Sequence, residues 1–274
     1  MSRIEKYLRA STIEEAIEMK IAAGTGGFYL AGGTDALVNT PAHRTTAIDI
    51  MRVGLDHVSR NNGSVNIGAT ALLCDIERHQ EVRAIAGGAL VEAIRETGPW
   101  LIRNAATLVG NLCNASPSAD SAPMLLALDA SLALSDGRVV PLDTFFASPH
   151  RTILTNELVT DIRLEPRGRT GVFHKLSRSK SDIAQVNLAV TARPEGSVLR
   201  DVRIALGSVA PTPIRARQSE QLLEGKPIWE DLWGQLAESV MSEVSPIDDW
   251  RATSTYRRHA AGVMVVRAVR RLVP

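Results

Sequence analysis

Two stretches of small residues carry the most distinctive chemistry of this 274-residue chain. The first, Ala31-Gly32-Gly33-Thr34-Asp35, follows a short apolar segment, Phe28-Tyr29-Leu30. The second, residues 103–120, is rich in small and amide-bearing side chains and contains no Lys or Glu. Glycine lets a backbone approach a ligand closely, and backbone N–H groups in such loops bind anionic oxygens. Both stretches are therefore candidate sites for a phosphorylated ligand.

The residues alone leave a plainer interpretation open for each stretch. The first lacks the spacing of a GxGxxG motif and of a P-loop, so a tight turn between a strand and a helix explains it more simply. The second has the composition of a polar connector in front of the apolar helix predicted over residues 123–130. Composition by itself favours these plainer interpretations.

Bulk composition argues against several classes of function. A net charge of +1 gives no electrostatic basis for binding nucleic acid or an anionic membrane. No apolar run approaches transmembrane length, and the N-terminus lacks the apolar core of a signal peptide, so we expect a cytoplasmic protein. Cys74 and Cys113 cannot supply the four thiolates of an iron–sulfur cluster, and the histidines lack metal-binding spacing. We expect no metal centre within this chain.

The first part of the chain mixes short helices and strands. Thr12-Ile13-Glu14-Glu15 is a capping box that begins a helix with an apolar stripe. The unit continues as a strand, the glycine loop, a short helix and a second strand at residues 47–50. The other elements predicted here are strands at residues 64–69 and 160–165, helices from residue 72 to 78 and from 84 to 97, and a hairpin turn at Ser135-Asp136-Gly137.

Composition shifts at Pro166-Arg167-Gly168-Arg169, which predicts a domain boundary. Beyond it, apolar runs predict a small antiparallel sheet, and helical patterns follow. The runs cover residues 171–176, 184–192 and 202–209, and the helical patterns cover residues 215–223, 229–244 and 254–272.

Taken in order, these stretches resemble the FAD-binding subunit of the molybdenum hydroxylases, the family of xanthine dehydrogenase and of the carbon monoxide dehydrogenase medium subunit. Ala31-Gly32-Gly33-Thr34-Asp35 resembles the family's AGGTD loop. Residues 102–120 resemble its IRNxATIGGNICNASPxAD segment. Further matching segments lie at residues 67–70, 175–184, 210–215 and 250–257, so the resemblance covers almost the whole chain.

The resemblance implies an α+β fold with FAD as cofactor. It implies a two-subdomain FAD-binding domain of the PCMH type at residues 1–166, with subdomains of about 1–55 and 56–166, and a C-terminal flavoprotein domain at residues 167–274. The implied partners are a large subunit with the molybdenum cofactor and a small subunit with [2Fe–2S] clusters. This chain would take electrons from the clusters and pass them to NAD⁺ or another acceptor, and the flavin would supply the chemistry.

The resemblance also assigns cofactor contacts to individual residues. Thr107, Gly110 and Asn111 would add donors from the second stretch, while Ser116 and Asp120 would lie near the pyrophosphate or sugar. A carboxylate repels phosphate, so we expect Asp120 to accept from a hydroxyl. The residues expected to wrap the pyrophosphate are Gly32, Gly33, Thr34 and Asp35, with Leu30 and Ala31 at the strand end before them and Ala36 as a further cofactor-binding residue.

The resemblance implies that Lys175 lies beside the isoalloxazine ring. A cation at that position favours the reduced anionic flavin. Its neighbour His174 is the alternative for that role, and both also fit ordinary strand positions with one face exposed. Arg178 and Asp182 are expected to form an ion pair in the loop that follows.

The chain departs from the family pattern at Val109, where the family has the first of two glycines. Valine adopts positive φ only at a cost, so either one glycine suffices or FAD binds more weakly. We expect FAD binding to be retained. A flavin-free scaffold subunit and a self-sufficient flavin oxidoreductase remain alternatives. For the whole complex we expect xanthine or a related N-heterocycle as substrate, with a carbon monoxide dehydrogenase-type subunit as the other possibility.

Overall fold

The computed structural model describes residues 4–39, 41–227, 229 and 231–273. The strands are β1 (Lys6–Arg9), β2 (Gly27–Leu30), β3 (Thr46–Asp49), β4 (Val58–Asn61), β5 (Ser64–Gly68), β6 (Ser131–Leu134), β7 (Val139–Pro141), β8 (Phe146–Ser148), β9 (Arg151–Thr152), β10 (Val159–Leu164), β11 (Thr170–Leu176), β12 (Val186–Glu195), β13 (Val198–Gly207) and β14 (Ile214–Arg215). The helices are α1 (Ile13–Ala23), α2 (Ala36–Asn39), α3 (Leu73–Ile76), α4 (Gln80–Arg83), α5 (Ala89–Glu96), α6 (Trp100–Arg103), α7 (Leu108–Cys113), α8 (Ser121–Ala127), α9 (Arg217–Leu223), α10 (Leu232–Glu243) and α11 (Ser254–Leu272).

The first sheet is parallel, with the strand order β1-β3-β2. Thr12 caps α1 as predicted, with Oγ1 accepting from the Glu15 N–H at 3.2 Å, and the Glu15 carboxylate reaches back to the N–H of Ser11, one residue before the cap, at 2.7 Å. Parallel strands end at the same edge of a sheet, and the first glycine loop leaves β2 at that edge.

The second sheet is antiparallel, with the order β4-β5-β10-β6-β7. Its hairpin turn lies at residues 135–137 as predicted, with Leu132 opposite Val140. The helix predicted over residues 84–97 is wrong in its first five residues, since α5 begins only at Ala89. Ala86, Gly87 and Gly88 have φ of 50°, 66° and 98°, and left-handed backbone interrupts a helix.

The third sheet is the predicted antiparallel one, with the order β11-β12-β13-β14. Side chains on a strand alternate between faces. Phe173 and Ala189 point into the core of the first part of the chain, and Val172 and Leu188 point into a second core with α10 and α11. Helices α5 and α8 therefore cover one face and α11 covers the other. No helix of the described ranges is long and apolar enough to span a bilayer.

An arginine cluster joins the second and third sheets at Asp129, just after α8. The Asp129 carboxylate accepts from Arg169 at 2.9 Å, Arg203 at 3.0 Å and Arg215 at 2.7 Å. Burial alone raises the pKa of this carboxyl group, but the three guanidinium groups outweigh burial and hold its pKa below the ordinary value. The cluster fixes how the two halves of the chain pack together.

Candidate cofactor site

The two small-residue stretches lie against each other although they are far apart in sequence. A Cβ atom on Gly32 would lie 1.8 Å from the carbonyl oxygen of Ala105, so only glycine permits this approach. Gly33 has φ of 68°, a left-handed conformation that favours glycine. The first loop therefore crosses the start of the second stretch as the chain passes from β2 into α2.

The first loop carries a group of backbone N–H donors. Among the described residues, no group accepts from the N–H groups of Gly32, Gly33 and Thr34. These residues are half-exposed, and the Asp35 carboxylate is turned to Asn39 Nδ2 at 2.8 Å. Donors grouped on residues with small or no side chains suit the oxygens of a pyrophosphate. The predicted first-loop residues therefore fit the diphosphate of FAD.

The second stretch contains a short helix, α7, that a connector would not have. Thr107 caps it, with Oγ1 accepting from the Gly110 N–H at 3.0 Å, and Asn111 Oδ1 accepts from Ser121 Oγ at 2.6 Å. The signal for α7 was present in the sequence, since the capping Thr107 precedes apolar residues at positions 108, 109 and 112. Ser116 Oγ follows α7 and accepts from the Ser118 N–H at 3.3 Å.

Val109 does not strain the loop. It lies in the first turn of α7, it has no positive φ, and its side chain is buried in the main core. The exposed neighbour Gly110 lies at the surface instead. The backbone of this chain therefore does not need the first of the two glycines of the family pattern.

Asp120 and Lys175 form a buried ion pair. Lys175 Nζ lies 2.8 Å from Asp120 Oδ2 and also donates to the Glu96 carbonyl oxygen at 3.1 Å. Asn187 Nδ2 donates to the other carboxylate oxygen at 2.8 Å. Burial raises the pKa of Asp120, and the Lys175 ammonium opposes that rise. Asn187 was missed in the sequence, where its only signal is a polar side chain inside an apolar run.

The structure separates Lys175 from its alternative, His174. Adjacent strand residues face opposite ways, and His174 lies on the α11 side of the third sheet. Burial lowers the pKa of His174, and the Arg271 and Arg267 guanidinium groups of α11 lower it further. Lys175 alone of the two reaches Asp120, which ends the second stretch.

Other predicted residues lie at the edges of this site. Leu30 is buried at the end of β2, and Ala31 and Ala36 are half-buried on either side of the loop. Arg178 and Asp182 form the expected ion pair, with Nε 3.1 Å from the carboxylate. No hydrogen bond or ion pair of the described residues joins the first loop to the Asp120–Lys175 pair.

We predict that Gly32→Ala weakens FAD binding, because the new Cβ must displace the Ala105 carbonyl. Overpacking costs about 1–3 kcal/mol, so we expect about a tenfold rise in the dissociation constant, measured by fluorescence titration of the apoprotein. Gly234→Ala is the matched control, since a Cβ there meets nothing within 4 Å. An unchanged affinity for Gly32→Ala would show that this close contact does not shape the site.

We predict that Val109→Gly lowers stability without improving FAD affinity. The change loses about 0.3–0.5 kcal/mol of helix propensity and about 1.5 kcal/mol or more of apolar burial, which denaturant unfolding measures. Val109→Ala loses apolar burial without losing helix propensity and so separates the two contributions. A clear gain in FAD affinity for Val109→Gly would contradict this interpretation and make the valine an obstruction.

We predict that Asp120→Asn destabilises the chain, because it leaves the Lys175 ammonium buried without a counter-charge. Breaking one partner of a buried pair costs about 3–5 kcal/mol, measured as the free energy of unfolding. Asp182→Asn breaks the exposed pair with Arg178 and should cost about 1 kcal/mol or less. The double variant Asp120→Asn with Lys175→Met should cost less free energy of unfolding than the sum of the two single changes. Equal costs for Asp120→Asn and Asp182→Asn would argue against a special role for the buried pair.

Two family models together match nearly the whole chain. The FAD binding domain in molybdopterin dehydrogenase matches residues 2–166, and the CO dehydrogenase flavoprotein C-terminal domain matches residues 171–272. The chain is 31% identical to the xanthine dehydrogenase FAD-binding subunit of Escherichia coli O157:H7, covering 96% of this chain and 94% of that protein. It is 30% identical to the glyceraldehyde dehydrogenase medium chain of Sulfolobus acidocaldarius, covering 96% of this chain and 96% of that protein.

The fold agrees with these sequence matches. A solved structure of carbon monoxide dehydrogenase from Hydrogenophaga pseudoflava, which lacks the Mo-pyranopterin moiety of the molybdenum cofactor, superimposes with a TM-score of 0.94 at 29% identity. The match covers 98% of this chain and 97% of the chain in that structure. The chain therefore belongs to the FAD-binding subunits of the molybdenum hydroxylase family, and FAD is its cofactor.

Proposed function

We propose that this chain is the electron-transfer subunit of a molybdenum hydroxylase complex. It takes electrons from the [2Fe–2S] clusters of a small partner subunit and passes them to NAD⁺ or another acceptor. The observation that carries the proposal is the contact of Gly32 with Ala105. It joins two loops of small residues beside N–H donors that have no acceptor among the described residues. Bound FAD supplies the redox chemistry, so the protein has to bind and orient the cofactor.

The residues of the chain divide that work. The N–H groups of Gly32, Gly33 and Thr34 hold the pyrophosphate oxygens, and Asn111 and Ser116 add polar groups from the second stretch. Predicted contacts of Leu30, Ala31, Asp35, Ala36, Thr107 and Gly110 complete the cradle. The Asp120–Lys175 pair holds the second stretch on the third sheet. The Lys175 ammonium lies 2.8 Å from the Asp120 carboxylate and balances its negative charge.

The cysteine count agrees with clusters on a partner subunit. Two cysteines are too few for the four thiolates of a [2Fe–2S] cluster within this chain. The relatives named above are themselves subunits or medium chains. A large subunit with the molybdenum cofactor completes the complex, which we place in the cytoplasm.

We further propose a division into an FAD-binding domain, residues 1–166, and a C-terminal domain, residues 167–274. The first would comprise subdomains of about 1–55 and 56–166. The ranges of the two family models, 2–166 and 171–272, support this division. Two large cores, one beneath the second sheet and one beneath α11, support it as well.

For the whole complex we propose xanthine or a related N-heterocycle as substrate. The 31% identity to a xanthine dehydrogenase FAD-binding subunit supports this choice. A carbon monoxide dehydrogenase-type complex is the second candidate, because the medium chain from Hydrogenophaga pseudoflava is 30% identical. Under either proposal the substrate pocket lies on another subunit.

Purification of the complex from the cells that produce it tests both levels of the proposal. We expect stoichiometric FAD, identified by absorbance and after release by heat, and reduction of NAD⁺ that depends on xanthine. A colourless chain that cannot be reconstituted with FAD would contradict the proposed role and support a flavin-free scaffold. Activity with carbon monoxide but not with xanthine would overturn the substrate and leave the flavin role intact.

A further inference from the structure

A row of three residues across the third sheet faces the end of the second stretch. Lys175, Asn187 and Gly207 lie directly opposite one another on β11, β12 and β13. Residues opposite one another on neighbouring strands project to the same face of a sheet. On this face Lys175 and Asn187 both donate to the carboxylate of Asp120, each at 2.8 Å. We name Lys175, Asn187 and Gly207 the sheet row.

The Asn187 amide is oriented by the acceptors around it. Its Nδ2 donates to Asp120 Oδ1 at 2.8 Å and to the Ala119 carbonyl oxygen at 3.3 Å, so the opposite orientation would set the amide oxygen against two acceptors. The side chain is completely buried, and its Oδ1 has no hydrogen-bond donor among the described residues. A buried acceptor without a donor costs free energy that an apolar side chain would avoid. The bond to Asp120 therefore explains this amide better than packing does.

Gly207 makes room for the amide. A Cβ atom on Gly207 would lie 2.2 Å from Asn187 Oδ1 and 3.1 Å from the Pro117 carbonyl oxygen. The first distance is far below van der Waals contact, so any side chain at this position would push the amide away from Asp120. Gly207 has no positive φ. The close approach of the amide, and not the backbone conformation, therefore requires glycine here.

The charged groups that face Asp120 are Lys175 of β11 and Glu96 at the end of α5. Burial raises the pKa of Asp120, and the Glu96 carboxylate adds to that rise. Lys175 and the Asn187 amide oppose it, because a cation and a hydrogen-bond donor both stabilise the ionised carboxylate. Loss of the amide therefore favours a protonated Asp120 beside a Lys175 ammonium whose charge is no longer neutralised.

We propose that Asn187 is a positioning residue for the flavin, which acts through Asp120 and Lys175, and that Gly207 holds it in place. This inference rests on the proposed function and on the expected place of Lys175 beside the isoalloxazine ring. The Asn187 amide keeps the carboxylate ionised and turned to Lys175. It thereby sets how much of the positive charge of Lys175 acts on the cofactor, without touching the cofactor itself.

Truncation of the amide tests the inference in the full chain with bound FAD. The flavin midpoint potential is measured as a function of pH. We expect the potential of Asn187→Ala to rise above the parental value as the pH is lowered, because Asp120 takes up a proton at a higher pH and a cation favours the reduced anionic flavin. The matched control is Thr191→Ala, which removes another buried bond of β12, to the Ala127 carbonyl oxygen at 2.6 Å, and should keep the parental potential at every pH.

A second variant moves the amide instead of removing it. We expect Gly207→Ala to shift the potential in the same direction as Asn187→Ala, because the new Cβ displaces the amide from Asp120. In an Asn187→Ala background no amide is left to displace, so the further change Gly207→Ala should leave the potential unaltered. A further shift in that background would overturn the role of Gly207, because its effect would then act through Pro117.

The possible failures are distinguishable. A parental chain that binds no FAD would contradict the proposed function, and this inference would fall with it. Parental potentials at every pH in both Asn187→Ala and Gly207→Ala, with FAD bound, would overturn the inference alone. The same shift in Thr191→Ala would also overturn it, because loss of any buried bond on β12 would then suffice. If Asn187→Ala does not fold, the same measurement on Gly207→Ala decides.

Discussion

The buried pair of Asp120 and Lys175 is the interaction on which the arrangement of the site depends. The second stretch ends in a carboxylate out of water, and an unpaired buried charge costs several kcal/mol. The Lys175 ammonium on β11 and the Asn187 amide on β12 each meet that carboxylate at 2.8 Å. The second stretch and the third sheet therefore cannot separate without leaving a charge exposed or unpaired, so the end of the second stretch is held by the C-terminal part of the chain.

Helix α8 extends this coupling through the molecule. Its seven residues are all buried, Asp120 precedes it and Asp129 follows it closely. Both carboxylates bind cations from beyond residue 166: Lys175 at one end, and Arg169, Arg203 and Arg215 at the other. Close backbone contact reinforces the first end, where the Ser208 N–H donates to the Pro117 carbonyl oxygen at 2.7 Å. The second stretch is thus part of a rigid layer between two sheets.

Elements with regular patterns were predictable because their signals are local. The helical pattern over residues 254–272 predicted both ends of α11, Ser254 and Leu272, and Ser135-Asp136-Gly137 predicted the β6–β7 hairpin. The helix predicted from residue 84 was wrong because Ala86 adopts a φ of 50°. Alanine is the strongest helix former, so only its packing in the folded chain gives it that conformation. Helix α7 was missed because a stretch of small residues is typical of a loop, and Thr107 was not considered as a helix cap.

What the sequence determined was the resemblance of its two small-residue stretches to those of FAD-binding subunits, and that resemblance predicted the cofactor. Glycines at positions 32 and 33 and the small residues of the second stretch record where the backbone needs close approach or positive φ, and two cysteines are too few for a [2Fe–2S] cluster. Only the tertiary structure decided that Gly32 meets Ala105, that Lys175 rather than His174 reaches Asp120, and that Val109 points into the core. Those outcomes depend on contacts between residues far apart in the chain. Such contacts produce no periodic pattern in a single sequence, so they could not be predicted from it.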